Sequence, residues 1–162
     1  MRLGPSTRHS RWRPWVDDAD VRLRNLIYQE YVDCGVAPNL TTTAEALDTT
    51  GEAVAQGLRR LHDEHALVLH ANSTEIRMLN PFSLVPTAHR VHARGHWWFA
   101  NCAWDALGIG AALGVDTLVE TSCPDCGESL RFETTGSLPS DSGLLFHCLV
   151  PARQWWTDIG FT

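Results

Sequence analysis

The sequence lacks features that define several large classes of proteins. Its 162 residues contain no apolar run approaching the ~20 residues of a membrane-spanning helix. The basic start, residues 1–15, is not followed by the apolar segment of a secretory signal, so we expect a disordered arm and a cytoplasmic protein. Lysine is absent, and all 13 basic residues are arginine. The formal net charge of -6 at pH 7 argues against nucleic acid as the main partner.

The sequence contains five cysteines, which do not suit a fold held together by disulfide bonds. Five is an odd count, and thiols stay reduced in the cytoplasm. Apolar residues make up 44% of the chain and charged residues 20%, which is typical of one folded domain or two small ones rather than of a disordered chain. The cysteines are therefore candidates for metal binding or catalysis.

Residues 16–80 have the pattern of three helices followed by a β-hairpin. The first helix is predicted over about Asp18–Tyr31, and capping boxes predict that the next two helices start at Thr42 and Thr49. Two short β-forming runs separated by a turn predict the hairpin over residues 66–79. This order of elements predicts a winged helix-turn-helix.

A winged helix usually places its third helix in the DNA major groove, where this chain would offer Gln56, Arg59 and Arg60. The same segment is rich in aspartate and glutamate, whereas a surface that follows phosphates needs an excess of basic residues. The composition therefore disfavours DNA binding. A role in packing or in a homodimer is at least equally consistent with this segment.

Residues 81–88 contain two prolines and are predicted to link the first domain to a second one over residues 89–162. We expect the second domain to be a small mixed β-sheet with helices, which makes the whole chain α+β. Its predicted elements are a strand at 89–93, a helix ending near Leu113, strands at 115–122 and 129–134, a strand at 144–150 and a helix at 152–159.

Cys102 and Asp105 stand three residues apart in an aromatic-rich run over residues 96–108. On a helix, this spacing puts the thiol and the carboxyl group on one face, one turn apart. A thiolate is a soft metal ligand and a nucleophile. A carboxylic acid that is partly desolvated can stay protonated near neutral pH and act as an acid. The pair therefore predicts a site that binds a soft metal and protonates the group that leaves it.

The order of these parts resembles the organomercurial lyase (alkylmercury lyase) family. The resemblance rests on the run Asn101-Cys102-Ala103-Trp104-Asp105-Ala106-Leu107, on the Pro-rich segment before it and on the later Cys123, and it covers roughly Val21 to the C-terminus. This family cleaves the carbon–mercury bond by protonolysis, giving a hydrocarbon and Hg(II). It uses two cysteines, one aspartate and no organic cofactor.

The resemblance implies that the Cys102 thiolate first binds the organomercurial and that Asp105 protonates the leaving carbon. In the family, the second cysteine lies downstream of the segment that best matches residues 155–162. The resemblance therefore implies a short or C-terminally truncated member, in which Cys148 is the nearest substitute for that second thiol. The organic group is expected to pack against nearby aromatic side chains, which are Trp97, Trp98, Phe99 and Trp104.

The run Cys123-Pro124-Asp125-Cys126-Gly127 has the form of a zinc knuckle between two strands. One knuckle supplies half of a tetrahedral site, and no second Cys-x-x-Cys follows. His147 and Cys148 are adjacent and would point to opposite faces of a strand. Packing or an extra sulfur for mercury, a zinc site at Cys123 and Cys126, and redox chemistry all stay open.

We therefore expect a lyase of mercury resistance, with an organomercurial as substrate. Its mercury ligands would be Cys102, Cys123 and Cys126, and cellular thiols or mercury-handling proteins would accept the Hg(II) product. Two alternatives remain at this stage. One is a metal-responsive winged-helix regulator that binds DNA, and the other is an inactive relative that only binds thiophilic metals.

Overall fold

The computed structural model describes residues 17–136, 138–140, 143–146, 148 and 150–159. The predicted basic arm, residues 1–15, lies outside the described residues. The described chain begins with three helices, which are α1 (Asp18–Cys34), α2 (Leu40–Ala46) and α3 (Gly51–Asp63). No helix in these ranges is both long enough and apolar enough to cross a membrane.

Each of the three helices begins at a polar residue whose side chain accepts a hydrogen bond from a free backbone amide. Asp17 caps α1, Asn39 caps α2 and Thr50 caps α3. The predicted caps Thr42 and Thr49 are therefore wrong. Asn39 starts α2 earlier, because its Oδ1 accepts from the Thr42 amide at 3.0 Å.

The strands in the described ranges form one antiparallel sheet. Their bounds are β1 (Val68–Leu69), β2 (Ile76–Leu79), β3 (Phe82–Ser83), β4 (Arg90–Ala93), β5 (His96–Ala100), β6 (Thr117–Ser122), β7 (Ser129–Thr135) and β8 (Leu138–Pro139). Helix α4 (Ala103–Leu113) joins β5 to β6, and a 3-10 helix follows at Ala152–Thr157. The order across the sheet is β1-β2-β3-β5-β4-β6-β7-β8. The fold thus combines helices with an antiparallel sheet.

Strand β3 lies inside the segment predicted as a linker, residues 81–88. Phe82 pairs with Leu79 of β2 on one side and with Ala100 of β5 on the other. The first hairpin and the later strands consequently share one sheet and one cluster of buried side chains, which includes Leu23 of α1 and Val119 of β6. The division of the chain into two domains stays a prediction.

Strand β5 was not predicted, although the sequence contains a signal for it. Arg94 and Gly95 both have positive φ and form a two-residue turn that pairs Ala93 with His96. A residue–glycine pair between two runs of β-forming residues indicates such a hairpin. The turn fixes the pairing of β4 with β5, and β5 ends two residues before Cys102.

The predicted strand over residues 144–150 is wrong for the described part of that segment. Residues 144–146, 148 and 150 form no strand. Leu145 is 95% exposed and Phe146 47% exposed, so these apolar residues have no buried face to pair against the sheet. The final helix is confirmed in position, as the 3-10 turn at Ala152–Thr157.

A half-buried ion pair joins α1 to α3. Asp20 is 4% exposed and accepts hydrogen bonds from Arg60 Nε at 2.8 Å and Nη2 at 2.7 Å. On the same helix, Gln56 donates to Glu52 at 2.9 Å. Two of the three side chains that the winged-helix prediction offers to DNA are therefore held by partners within the chain.

The ion pair gives a stability prediction. Arg60→Met should lower the free energy of unfolding by about 2–3 kcal/mol, because it leaves the buried Asp20 carboxylate without its charged donor. Asp20→Asn should cost less, since the Arg60 side chain is 51% exposed and can turn towards water. Urea denaturation measures both, with the exposed neighbour Arg59→Met as the control. Equal stability of the two arginine variants would contradict this account.

Candidate active site

Cys102 is the N-cap residue of α4 and does not lie within the helix. Its backbone is extended, with φ -150° and ψ -179°, and its carbonyl accepts from the Ala106 amide at 3.0 Å. Asp105 lies in the first turn of the same helix. The prediction that both groups lie on one face of a helix is thus wrong for Cys102, which precedes the helix as its N-cap. The Cys102 and Asp105 side chains are nevertheless in contact.

Burial sets the protonation of both groups. It raises the pKa of the Cys102 thiol, while the backbone amides of Asp105 and Trp104 act to lower it and the Asp105 charge to raise it. Burial also raises the pKa of the Asp105 carboxyl, against hydrogen bonds from Asn101 and Cys102 that favour the carboxylate. The carboxyl therefore holds its proton to a higher pH than an exposed aspartate, which suits a proton donor.

Asn101 supports this pair, and the sequence reasoning gave it no role. Its Nδ2 donates to Asn80 Oδ1 at 3.1 Å and to the Pro81 carbonyl at 3.3 Å. Tyr28 of α1 donates to the Asn80 carbonyl at 2.9 Å. These bonds tie the segment that carries the thiol to α1 and to the turn after β2. The signal for Asn101 was its position directly before Cys102.

Cys102 lines a cleft of about 550 Å³. Cys123, directly after β6, and Cys148 line the same cleft, so three of the five cysteines border it. Asp105 is not among the lining residues and reaches the cleft through its contact with Cys102. Much of the wall is apolar, and these residues are Met78, Val85, Leu130, Leu145, Phe146, Val150, Trp155 and Ile159.

His89 is a further lining residue to which the sequence reasoning gave no function. Its Nδ1 is 2.7 Å from Thr121 Oγ1, and burial lowers the pKa of its ring. The neutral ring therefore adds a polar but uncharged group to the wall. The sequence alone gives little indication that His89 lines a cleft, because a histidine at the start of a strand is common on a protein surface.

The remaining cysteines lie outside the cleft lining. Cys126 is exposed, and Cys34 at the end of α1 is also exposed. Helix α1 continues to Cys34 and ends at Gly35 on the surface, which leaves the Cys34 thiol exposed. Among the residues that the structure describes, no three His, Cys, Asp or Glu side chains form a group that could hold a metal ion. A zinc site at Cys123 and Cys126 stays a prediction.

The aromatic residues before Cys102 do not contribute to this cleft. Trp97, Trp98 and Phe99 of β5 line a separate groove of about 1260 Å³, whose described lining contains no cysteine. Trp104 is 55% exposed and contacts Phe146, with ring centroids 5.9 Å apart. The cleft lining therefore gives no support to aromatic packing of the organic group by these three β5 residues, and Trp98 packs in the core against Tyr31 and Phe82. That packing of the organic group stays a prediction.

Comparisons with known proteins give a family and a similar fold. Residues 82–162 match the family model described as alkylmercury lyase. The fold is similar to the crystal structure of the mercury-bound form of MerB2, with a TM-score of 0.65 and 20% identity. That similarity covers 78% of this chain and 61% of the other, so this chain spans about three fifths of that protein. No curated protein matches the sequence.

The matched region contains the cap of α4, the knuckle after β6 and the segment that carries Cys148. It amounts to half of the 162 residues. The chain belongs to the alkylmercury lyase family.

Proposed function

We propose that this chain is an organomercurial lyase, which cleaves carbon–mercury bonds by thiolate capture and protonolysis. The observation that carries the proposal is the contact between the Cys102 thiol and the Asp105 carboxyl, whose pKa is raised by burial, beside a cleft lined by further thiols. Mercury is a soft metal and prefers sulfur. The acid beside that sulfur supplies the proton that the leaving carbon needs.

The reaction begins when the Cys102 thiolate displaces the solution ligand from the organomercurial and forms a sulfur–mercury bond. A second thiolate, which we assign to Cys148, then adds to the mercury. Two sulfur ligands increase the electron density at the carbon. Asp105 transfers its proton to that carbon, and the electron pair of the carbon–mercury bond forms the new carbon–hydrogen bond.

The hydrocarbon then leaves, Hg(II) remains on two sulfurs and Asp105 is a carboxylate. Cellular thiols or a mercury-handling protein take the Hg(II), and their two protons restore the Cys102 and Cys148 thiols. Asp105 regains its proton from solvent, which received the protons that the two cysteines lost when they bound mercury. No oxidation state changes in this cycle, so the chemistry requires no organic cofactor.

The position of Cys148 favours it as the second thiol. It lines the same cleft as Cys102, and its thiol donates to the Val150 carbonyl at 2.9 Å. Loss of that proton would free the sulfur for mercury. The exposed side chains of Leu145 and Phe146 line the same cleft and provide an apolar surface for the organic group.

The assignment of Cys148 predicts a separation of binding from release. Cys148→Ser should still capture phenylmercury at Cys102, but should release benzene at least about tenfold more slowly, which corresponds to about 1.4 kcal/mol in the barrier. Single-turnover benzene release with excess free thiol measures this. Cys34→Ser, which removes an exposed cysteine outside the cleft lining, is the matched control. Release at the unaltered rate in Cys148→Ser would exclude this residue as the second thiol.

We further propose that α1–α3 and the β1–β2 hairpin form a winged helix that serves packing rather than DNA binding. The engagement of Arg60 by Asp20 and of Gln56 by Glu52 supports this reading. We expect only weak association with duplex DNA that disappears as salt rises from 50 to 200 mM. Fluorescence anisotropy measures it, and saturable, salt-resistant binding would contradict the proposal and favour a regulator.

A further inference from the structure

We propose that Cys123 and Cys126 form a two-sulfur acceptor site, to which Hg(II) passes from the cleft before it leaves the protein. The inference rests on the proposed function in one respect, because the lyase reaction supplies the Hg(II). The pair itself is a separate binding site for a soft ion. It uses one thiol at the cleft wall and one at the protein surface.

The turn between β6 and β7 holds the two sulfurs together. The Cys123 amide donates to the Glu128 carbonyl at 2.8 Å, and the Gly127 amide donates to the Cys123 carbonyl at 2.9 Å. Gly127 has φ +73°, a conformation that favours glycine and lets the chain fold back. As a result, the amides of Cys126 and Asp125 and the Cys126 thiol all face the Cys123 sulfur. The pair is organised before any metal arrives.

The placement of the pair suits transfer out of the cleft. Cys123 lines the cleft together with Cys102 and Cys148, whereas Cys126 is exposed and is not among the lining residues. An ion bound between Cys123 and Cys126 would thus lie at the boundary between the cleft and the solution. One side is the reaction site, and the other is the solution in which acceptor thiols diffuse.

The number of ligands selects the kind of ion. A structural zinc site needs four ligands, and the described residues provide no group of three His, Cys, Asp or Glu side chains around one point. Hg(II) is satisfied by two thiolates in a linear arrangement, and soft sulfur ligands favour it over harder ions. A two-sulfur site therefore fits Hg(II) better than zinc.

The transfer is a ligand exchange at constant oxidation state. Two bonds from Hg(II) to the Cys123 and Cys126 sulfurs form, and the bonds to Cys102 and Cys148 break. The protons lost by Cys123 and Cys126 are taken up, through solvent, by the sulfurs of Cys102 and Cys148. No oxidant or reductant takes part.

The binding half of the proposal is tested without any lyase activity. In the full chain, Cys34→Ala, Cys102→Ser and Cys148→Ser together leave only Cys123 and Cys126. This variant should retain one equivalent of Hg(II) from HgCl2 through desalting in excess glutathione. Adding Cys126→Ser should weaken retention by about 100-fold or more, because a single sulfur loses the chelate advantage. Equal loss of Hg(II) from both variants would overturn the proposal, as would stoichiometric zinc that Hg(II) does not displace.

The transfer half is tested in the unaltered chain. After one turnover of phenylmercury without added thiol, cysteines that hold Hg(II) resist alkylation, and peptide mass spectrometry identifies them. Protection of Cys123 and Cys126 with alkylation of Cys102 is the expected pattern, and the reverse pattern would overturn the proposal. Benzene is measured in the same samples. If no benzene forms, the proposed function fails, while the HgCl2 result still decides whether the acceptor site exists.

Discussion

Replacing Cys102 with serine should abolish cleavage of phenylmercury, with a loss of at least about 10³-fold in single-turnover rate, as expected for the loss of an essential nucleophile. A hydroxyl group is a poor ligand for a soft metal, so the first sulfur–mercury bond does not form. The measurement is benzene release, together with the intact mass of the protein after exposure to one equivalent of the mercurial.

The position of Cys102 makes serine a clean replacement. Serine is among the best N-cap residues, whereas the Cys102 side chain forms no capping hydrogen bond to α4. We therefore expect Cys102→Ser to melt at the same temperature as the unaltered chain or higher. Lost activity with an unchanged melting temperature would show that the substitution abolishes the reaction and leaves the fold intact. Cleavage at the normal rate would refute the role of Cys102.

Asp105→Asn should separate capture of the mercurial from its cleavage. The Cys102 thiol remains, so the phenylmercury adduct should still form. Benzene release should fall by about 10²–10⁴-fold, the usual contribution of a general acid. Asp63→Asn, at an exposed aspartate that ends α3, is the matched control and should release benzene normally. If Asp105→Asn released benzene at the rate of the control, another group would have to supply the proton.

The same carboxyl group predicts a dependence on pH. Because burial raises the pKa of Asp105, its acid form persists to a higher pH than in an exposed aspartate, and release from the preformed adduct should fall as pH rises through that value. Capture should change in the opposite direction, because burial raises the pKa of Cys102 and only its thiolate binds mercury well. The Asp105→Asn variant should lose the first dependence and keep the second.

Stability should change with pH in the direction set by linkage. A carboxyl whose folded pKa lies above its unfolded value contributes stability that is present below the unfolded pKa and is lost as pH rises through the folded pKa. Asp105→Asn should therefore raise the melting temperature at neutral pH relative to the unaltered chain, and this advantage should shrink in acid. If the difference in melting temperature between the two proteins did not change with pH, burial would not disfavour the charged form of Asp105.

The parts of the fold that could be predicted are those with strong local periodicity. In α1 and α3, Leu23, Ile27, Leu58 and Leu61 recur at helical spacing, and all four are buried. The alternating run over β6 and β7 and the turn at Cys123 are likewise where the pattern predicts them. In these segments, local sequence and tertiary packing favour the same structure.

The elements that were missed depend on partners distant in the chain. Phe82 forms a strand because β2 and β5 lie on either side of it, and nothing in the Pro-rich segment shows this. The apolar run at residues 144–146 has the composition of a strand, yet Leu145 and Phe146 remain exposed at the cleft. Cys102 could be paired with Asp105 by spacing alone, but the cleft that Cys102 shares with Cys123 and Cys148 is a property of the tertiary fold.

The most direct test of the central claim is one turnover of phenylmercury by the unaltered chain in D2O, with excess free thiol, followed by mass analysis of the hydrocarbon. Protonolysis by Asp105, whose proton exchanges with solvent, predicts close to one equivalent of benzene that carries a single deuterium, and little from Asp105→Asn. Recovery of phenylmercury still bound to Cys102, with no benzene formed, would contradict the account and leave the chain a binder of thiophilic metals.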